Sequence, residues 1–320
     1  MVDARRRGDA VPRRSVDGVF LLDKPIGLSS NAALQRVKRA FNARKAGHTG
    51  TLDPLASGLL PICLGEATKF SQGLTDATKA YRTEIRLGVT TETGDVEGRV
   101  TQTRPVNSSA SDIEAALQPL RGEIWQTPHR YSALKRDGRA LYDYARAGES
   151  VDIAPRRVRI DELIIESIAL PILTAFVRCS KGTYVRSLAE SIGAALGCGA
   201  HVAALRRVEV GRFDIADAMT LEHLESTSGA LADERLLPPT VLVAELERAV
   251  LSSHAAERFS HGLAVPLEVG LVPETMVAVY TGSADDAEGR FLGLGRTGLE
   301  AEQLVVRPAR LLAGPPTCAG

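Results

Sequence analysis

The chain has 320 residues, of which 44% are hydrophobic and 24% are charged, as expected for a globular protein with one large and one smaller domain. No apolar run approaches the roughly 18 residues that a membrane helix needs, so we expect a cytoplasmic protein without a membrane partner. The formal net charge is zero, but residues 1–212 carry 32 lysines and arginines against 23 acids, whereas residues 213–320 carry 7 against 16. A basic first part suits a polyanion such as nucleic acid, although a solvated mixed surface explains it as well.

The N-terminal residues and the cysteines show mainly which features we do not expect. Residues 1–16 are rich in arginine and lack an apolar stretch, which predicts a disordered basic tail. The four cysteines lie far apart and show no CxxC spacing, so the sequence predicts neither a disulfide framework nor a metal site.

Hydrophobic periodicity predicts one domain over residues 17–240, in which strands and helices follow one another irregularly. The predicted elements are a strand at Val19–Leu22, a helix capped by Ser29, Ser30 or Asn31, a strand at 59–65, a short helix at 66–74, a strand at Tyr81–Leu87, a turn-rich polar segment at 89–111, a helix at 111–120, a basic aromatic loop at 126–138, a helix at 139–148, strands at 156–168 and 172–180, a helix at 182–197 and a strand at 201–213. This order is typical of the α+β class.

The remaining residues predict a connector and a second domain. The stretch 214–245 is acidic and contains the stiff pair Pro238 and Pro239, and residues 248–312 carry short apolar runs separated by glycines, which predicts a small β-rich domain. Gly293 to Gly298 fit G-x-G-x-x-G, but too little chain follows for a βαβ unit, so we interpret them as tight β-turns rather than a dinucleotide site.

The segment "GHTGTLDPLASG", residues 47–58, holds one carboxylate on a loop built to restrict the backbone. Pro54 disfavours the helical region for Asp53, and the loop's glycines permit positive φ or a close backbone approach; they are Gly47, Gly50 and Gly58. Thr49, Thr51 and nearby N–H groups are candidate donors to the carboxylate. An exposed, ionised Asp53 suits a nucleophile or a base, and the alternative is an Asx turn in which it bonds its own backbone.

Other residue patterns leave two interpretations open. Arg186 stands at a predicted helix start, where the helix dipole disfavours a cation, so it either faces an anion or is an ordinary exposed arginine. Tyr81 stands at the start of a predicted strand, where its ring either packs in the core or serves as a stacking platform. His48 is either a loop histidine without a task or a functional residue.

Six blocks, in this order, together resemble the TruB family of tRNA pseudouridine synthases. They are "GVFLLDKPIGLSS", "KAGHTGTLDPLASGLLPICLGEATK", "KAYRTEIRLG", "YSALKRDGRALYDYARAG", "CSKGTYVRSLAESIG" and "LRRVEVGRF". The resemblance runs from Val19 to Phe213, about two thirds of the chain, and the block around Asp53 is its most specific part.

The resemblance implies a fold, an activity and a partner. The fold is a mixed, largely antiparallel sheet flanked by helices, the pseudouridine synthase fold, with a PUA-like β domain at 248–312. The activity is isomerisation of uridine to pseudouridine at position 55 in the T-loop of tRNA, on a flipped-out base and without a metal or cofactor. We therefore expect a monomer whose partner is the T-arm of tRNA and which needs no nucleotide cofactor.

The resemblance also implies roles for individual residues. Asp53 matches the catalytic aspartate, Tyr81 the tyrosine placed against the target uracil, and Arg186 the arginine that pairs with the catalytic carboxylate. The expected substrate-binding residues are Tyr184 and Leu205 in the base pocket, His48 against the T-loop, Lys24 beside the site, and Arg44, Lys45 and Lys135 along the RNA backbone.

The segment at about 126–150 resembles the family's RNA-gripping loop but departs from its pattern. Pro128 is followed by His129 and Arg130, where family members carry a second proline and an aromatic residue, and the added charge suggests an extra phosphate contact.

Two other functions compete with this one. The first is an RNA-binding or RNA-folding module whose Asp53 loop is only architectural. The second is an aspartate-dependent hydrolase, which the lack of a paired carboxylate or metal motif disfavours.

Overall fold

The computed structural model describes residues 12–227, 229–267, 270–282 and 289–313. The strands are β1 (Gly18–Lys24), β2 (Ala46–His48), β3 (Ala56–Leu64), β4 (Lys79–Leu87), β5 (Val89–Thr91), β6 (Val100–Thr103), β7 (Gly122–Gln126), β8 (Lys135–Arg136), β9 (Arg139–Ala140), β10 (Arg156–Ala169), β11 (Ile172–Cys179), β12 (Ala200–Val210), β13 (Phe213–Asp214), β14 (Met219–Thr220), β15 (Arg248–Leu251), β16 (Val265–Pro266), β17 (Met276–Thr281), β18 (Arg290–Glu300) and β19 (Gln303–Leu311). The helices are α1 (Ser30–Ala40), α2 (Gln72–Asp76), α3 (Ala110–Leu117), α4 (Leu141–Arg146), α5 (Val185–Ala195), α6 (Leu221–Ser226), α7 (Gly229–Asp233) and α8 (Ser253–Ser260), and short 3₁₀ turns lie at Gly65–Lys69, Gln118–Leu120, Ile215–Asp217 and Pro239–Leu242. Within these ranges, no helix has the length and apolar character required to span a membrane.

A ten-stranded sheet forms the first domain, in the order β14-β1-β3-β12-β4-β11-β10-β7, with β2 beside β3 and β13 beside β12. Along this path only the β1–β14 and β3–β12 pairs are parallel, so the sheet is mixed and largely antiparallel. The predicted α+β class is therefore confirmed.

Two apolar clusters attach helices to this sheet. In the first, Leu34 and Val37 of α1 pack with Leu60 of β3. In the second, Leu188 and Ile192 of α5 pack with strands β4, β11 and β12. Ser30 of α1 and Arg186 of α5 thereby both lie beside the loop that carries Asp53.

The C-terminal domain is a five-stranded sheet in the order β15-β17-β18-β19-β16, packed on α8 through the fully buried Phe259, and is consistent with a PUA-like domain. The Phe70 ring of the first domain contacts the Phe291 ring of β18 at 5.2 Å between centroids. Val243 and Ala278 complete this buried cluster between the two domains.

The connector is more structured than the sequence predicted, and it holds most of the acidic excess. Residues 213–247 contain eight acids and one arginine. Arg36 Nε of α1 donates to Glu225 Oε1 of α6 at 2.7 Å, and Arg14 pairs with Asp233 at 2.5 Å. Part of the acidic charge therefore forms ion pairs with arginines of the first domain and does not lie on the C-terminal sheet.

Several predicted elements differ from the observed ones. Segment 89–111 contains the β5–β6 hairpin, and Ser109 caps α3 in a capping box with Asp112, two residues before the predicted start. Gly293 to Gly298 lie inside β18, so their interpretation as tight turns was wrong; a Cβ at Gly295 would come within 2.3 Å of a valine methyl on β19. Of the predicted tail, residues 1–11 lie outside the described residues, whereas Arg14 bridges to Ala43.

Candidate active site

A cleft of about 570 Å³ brings together five of the predicted site residues, namely Asp53, Tyr81, Tyr184, Arg186 and Leu205. They come from the loop before β3, from β4, from the start of α5 and from β12, so the sheet order assembles them from distant parts of the chain. The other predicted residues do not line this cleft; they are Lys24, Arg44, Lys45, His48 and Lys135.

The Asp53 loop is tied to its surroundings by backbone hydrogen bonds. The buried Ser30 hydroxyl donates to Leu52 O and accepts from Leu52 N, at 2.9 and 2.7 Å. Gly27 N donates to Pro54 O at 2.8 Å, and Ala56 N donates to Asp53 O at 3.1 Å. These bonds fix the backbone on both sides of the carboxylate.

Gly58 allows β12 to lie directly beside the loop. It has φ +103°, and a Cβ there would lie 2.2 Å from the carbonyl oxygen of Arg207. Gly50 also has a positive φ, of +82°. Gly47 does not, and the atom nearest to its added Cβ would be 3.8 Å away, so the predicted need for glycine holds only at the other two positions.

Arg186 holds the Asp53 carboxylate and is itself held by three further groups. Its Nη2 lies 2.7 Å from Asp53 Oδ2 and donates to Tyr131 O at 2.9 Å. Its Nη1 donates to Thr93 O at 3.1 Å and to Asp95 Oδ2 at 3.3 Å. The Arg186 side chain is 7% exposed and that of Asp53 is 39% exposed, so the carboxylate faces the cleft while the cation stays behind it. This geometry favours the anion-facing interpretation of Arg186 and disfavours the Asx turn.

Asp95 is a residue at this site that the sequence reasoning missed, and it contacts Arg186. It is buried in the turn between β5 and β6, where its Oδ1 accepts from Thr93 Oγ1 at 2.5 Å and from Glu97 N at 3.1 Å. A carboxylate between Gly94 and Gly98 repeats the pattern of the Asp53 loop, and that repeated pattern was the available signal.

Tyr81 and the buried Arg207 are paired on neighbouring strands, β4 and β12. Arg207 Nε donates to Leu59 O at 2.7 Å, and its Nη2 donates to Gly50 O at 3.1 Å, so this arginine joins the Asp53 loop to the sheet. Burial raises the pKa of the Tyr81 phenol and outweighs the opposing effect of the nearby Arg207 cation. Tyr81 therefore remains neutral at physiological pH.

Lys24 supports the site from within. It is fully buried, and its Nζ donates to Pro25 O at 2.9 Å and to Leu28 O at 2.7 Å. Burial lowers the pKa of Lys24 to about 8, although Asp53 acts in the opposite direction. Its contribution is therefore to hold the turn after β1.

Two expectations near the loop are corrected. The buried Thr49 hydroxyl has no hydrogen-bond partner among the described residues, so it does not donate to Asp53. His129 lies within the thumb loop, defined here as residues 126–150, but is only 6% exposed and cannot present charge to a phosphate, whereas its neighbour Arg130 is exposed.

The remaining predicted contacts lie at or near the surface. Lys135 is exposed on β8 of the thumb loop, and Arg44 and Lys45 are exposed before β2, where Lys45 lines a separate cleft between the two domains. His48 on β2 is half-buried with an unpartnered Nδ1 in the described part of the chain, and burial lowers its pKa.

The chain resembles known proteins over nearly its whole length. The N-terminal domain model of the TruB family pseudouridylate synthases matches residues 38–185, and the C-terminal domain model of tRNA pseudouridylate synthase B matches residues 186–252. A tRNA pseudouridine synthase B of Burkholderia mallei (strain NCTC 10247) is 51% identical, over 94% of this chain and 98% of that protein. The enzyme of the same name from Ralstonia pickettii (strain 12J) is 48% identical, over 94% and 96%.

Solved structures give the same result at greater distance. The archaeal box H/ACA sRNP Nop10-Cbf5 complex contains a chain with a TM-score of 0.69 and 26% identity, and the match covers 93% of this chain and 86% of that one. Sheet order, site geometry and these matches lead to one conclusion. The chain belongs to the TruB family of pseudouridylate synthases.

Proposed function

We propose that the protein isomerises uridine to pseudouridine at position 55 in the T-loop of tRNA. The observation that carries this proposal is the half-exposed Asp53 carboxylate, held at 2.7 Å by the buried Arg186 in a cleft that Tyr81 also lines. The curated relatives at about 50% identity bear the name of this enzyme, and they support the same reaction here.

The reaction is an isomerisation, so the site needs to hold one base and one ribose. The bond between uracil N1 and ribose C1′ breaks, the base turns within the cleft, and a bond between C5 and C1′ forms. The C5 hydrogen leaves as a proton to solvent, and N1 ends with one, so the atoms balance. We assign this chemistry to Asp53, which attacks the ribose C1′, adds to the uracil ring or deprotonates the sugar.

The target base must leave the T-loop before it can reach Asp53, and unstacking costs a few kcal/mol. The cleft offers compensating contacts: the half-buried rings of Tyr81 and Tyr184 and the Leu205 side chain all line it. The backbone of Tyr184 is held in place by the Gln126 side chain: the Tyr184 N–H donates to Gln126 Oε1 at 2.7 Å, and the Tyr184 carbonyl accepts from Gln126 Nε2 at 3.1 Å. We assign these side chains to the flipped uracil.

We assign the contacts with the rest of the T-arm to exposed cations outside the cleft, Arg44, Lys45 and Lys135, together with His48. Residues 17–240 then form the catalytic domain and 248–312 the PUA-like domain, and the protein acts as a cytoplasmic monomer. Phosphate contacts of this kind make affinity fall with salt.

The test uses unmodified tRNA labelled with tritium at uracil C5. The wild type is expected to release one tritium per tRNA, and a transcript with cytidine at position 55 should release none. Asp53→Asn, which keeps the shape of the side chain, should bind the tRNA but release no tritium. Full release by this variant would remove Asp53 from the chemistry, and tRNA binding without release by the wild type would favour an RNA-binding module.

A further inference from the structure

The thumb loop carries a buried histidine that contacts three separate segments of the site. His129 Nδ1 accepts from the backbone N–H of Tyr131 at 3.2 Å, so its Nε2 carries the hydrogen. That Nε2 lies 3.4 Å from Glu190 Oε1 on α5. A Cβ at Gly94 would come within 2.9 Å of His129 Nε2 and 3.0 Å of Glu190 Oε1, so the ring also packs against the β5–β6 turn.

These three segments are the ones that hold Arg186. The β5–β6 turn supplies Thr93 O and Asp95, α5 carries Arg186 itself, and the thumb loop supplies the carbonyl of Tyr131. The Tyr131 carbonyl is 2.9 Å from Nη2, the same nitrogen that lies 2.7 Å from Asp53. A shift of the Tyr131 backbone therefore moves the donor that orients the carboxylate.

We infer that His129 is a positioning residue for the proposed uridine isomerisation: by accepting the Tyr131 N–H, it fixes the Tyr131 carbonyl on Arg186 and so the direction of the Asp53 carboxylate. This inference rests on the proposed function for its kinetic effect, but its structural part does not. Hydrogen bonds that orient a catalytic group act on the chemical step more than on substrate binding, because a small misplacement already lowers the rate.

Three substitutions separate this role from simple packing. His129→Asn places an amide oxygen where Nδ1 lies and can still accept from Tyr131 N–H. His129→Gln places its amide near Nε2 and can still meet Glu190, but it lacks the acceptor for Tyr131. His129→Ala removes both contacts.

The measurements are single-turnover tritium release and tRNA affinity for the four proteins. We expect the Ala and Gln variants to be about 3- to 10-fold slower than the wild type, the range of one hydrogen bond, with tRNA affinity within about twofold. The Asn variant should stay within about twofold in both. An Ala variant as fast as the wild type, or an Asn variant as slow as Ala, would overturn the inference.

A second measurement does not depend on activity. The side-chain N–H resonances of Arg186 in ¹H–¹⁵N spectra should move in the Ala and Gln variants and stay at the wild-type position in the Asn variant. If the Arg186 resonances stay at the wild-type position in all three variants, the inference is overturned. A wild type that releases no tritium would overturn the proposed function alone.

Discussion

Replacing Asp95 by Asn tests whether the second carboxylate on Arg186 contributes to the chemistry. The amide oxygen of Asn can still accept from Thr93 Oγ1 and Glu97 N, so the β5–β6 turn should keep its shape. What is lost is the charged contact of 3.3 Å to the Arg186 Nη1. A hydrogen bond between charged groups contributes about 1.5–3 kcal/mol, and each 1.4 kcal/mol is about tenfold in rate, so the isomerisation should slow about 10- to 100-fold.

The assay is single-turnover tritium release together with the tRNA dissociation constant. The rate should fall while affinity stays within about twofold, because Asp95 is buried and lines no part of the cleft. Glu92→Gln is the matched control, since Glu92 lies in the same turn but pairs at the surface with Arg99 at 2.6 Å. An Asp95→Asn rate within twofold of the wild type would refute the view that this contact orients Arg186.

Three further predictions concern stability and RNA affinity. Gly58→Ala should lower the free energy of unfolding by about 3 kcal/mol or more, because its Cβ would meet the β12 backbone at 2.2 Å, whereas Gly47→Ala should be nearly neutral in the same urea titration. Burial lowers the pKa of Lys24 to about 8 from 10.5, so between these pH values the unfolded chain binds more protons than the folded one. The free energy of unfolding should therefore gain a contribution as pH rises from 8 to 10.5, and Lys24→Met should remove that part of the slope, as urea titrations across this range would show. Lys135→Gln should reduce the slope of log affinity against log salt by about one. Arg36→Gln should leave the slope unchanged, because the Arg36 cation already pairs with a carboxylate. Equal slopes for both variants would contradict the assignment of Lys135 to a phosphate.

Local patterns predicted most elements of the fold. Period-2 alternation at Tyr81–Leu87 and the capped helix after Ser29 appear as β4 and α1, because each signal depends on neighbouring residues only. The short β5–β6 hairpin was not predicted, because strands of three and four residues show too little alternation of apolar and polar residues to be distinguished from turns. The interpretation of Gly293 to Gly298 as tight turns was wrong for another reason: those glycines make room for backbone and side-chain atoms of neighbouring strands, which only the tertiary structure reveals.

The site was predictable where a residue sits in a distinctive loop, as Asp53 does. The position of Arg186 at a helix start left an anion-facing and an ordinary exposed arginine both open, and the structure places its Nη2 2.7 Å from the Asp53 carboxylate. The partners Asp95 and Arg207 were not predictable in the same way, since they become neighbours only when β4, β12 and the β5–β6 turn meet in the sheet. The burial of His129 likewise depends on α5, which lies some 60 residues further along the chain.

The aromatic contact between Phe70 and Phe291 bears on how the two domains can be separated experimentally. A protein truncated before β15 would uncover Phe70 and Val243, because both pack against Ala278 of β17 and Phe291 of β18. Such a fragment would expose a new apolar patch and tend to aggregate, so its weaker tRNA binding would report misfolding as much as lost contacts. The contribution of the C-terminal sheet is better measured in the intact chain, by replacing its exposed arginines such as Arg296 and Arg310 one at a time.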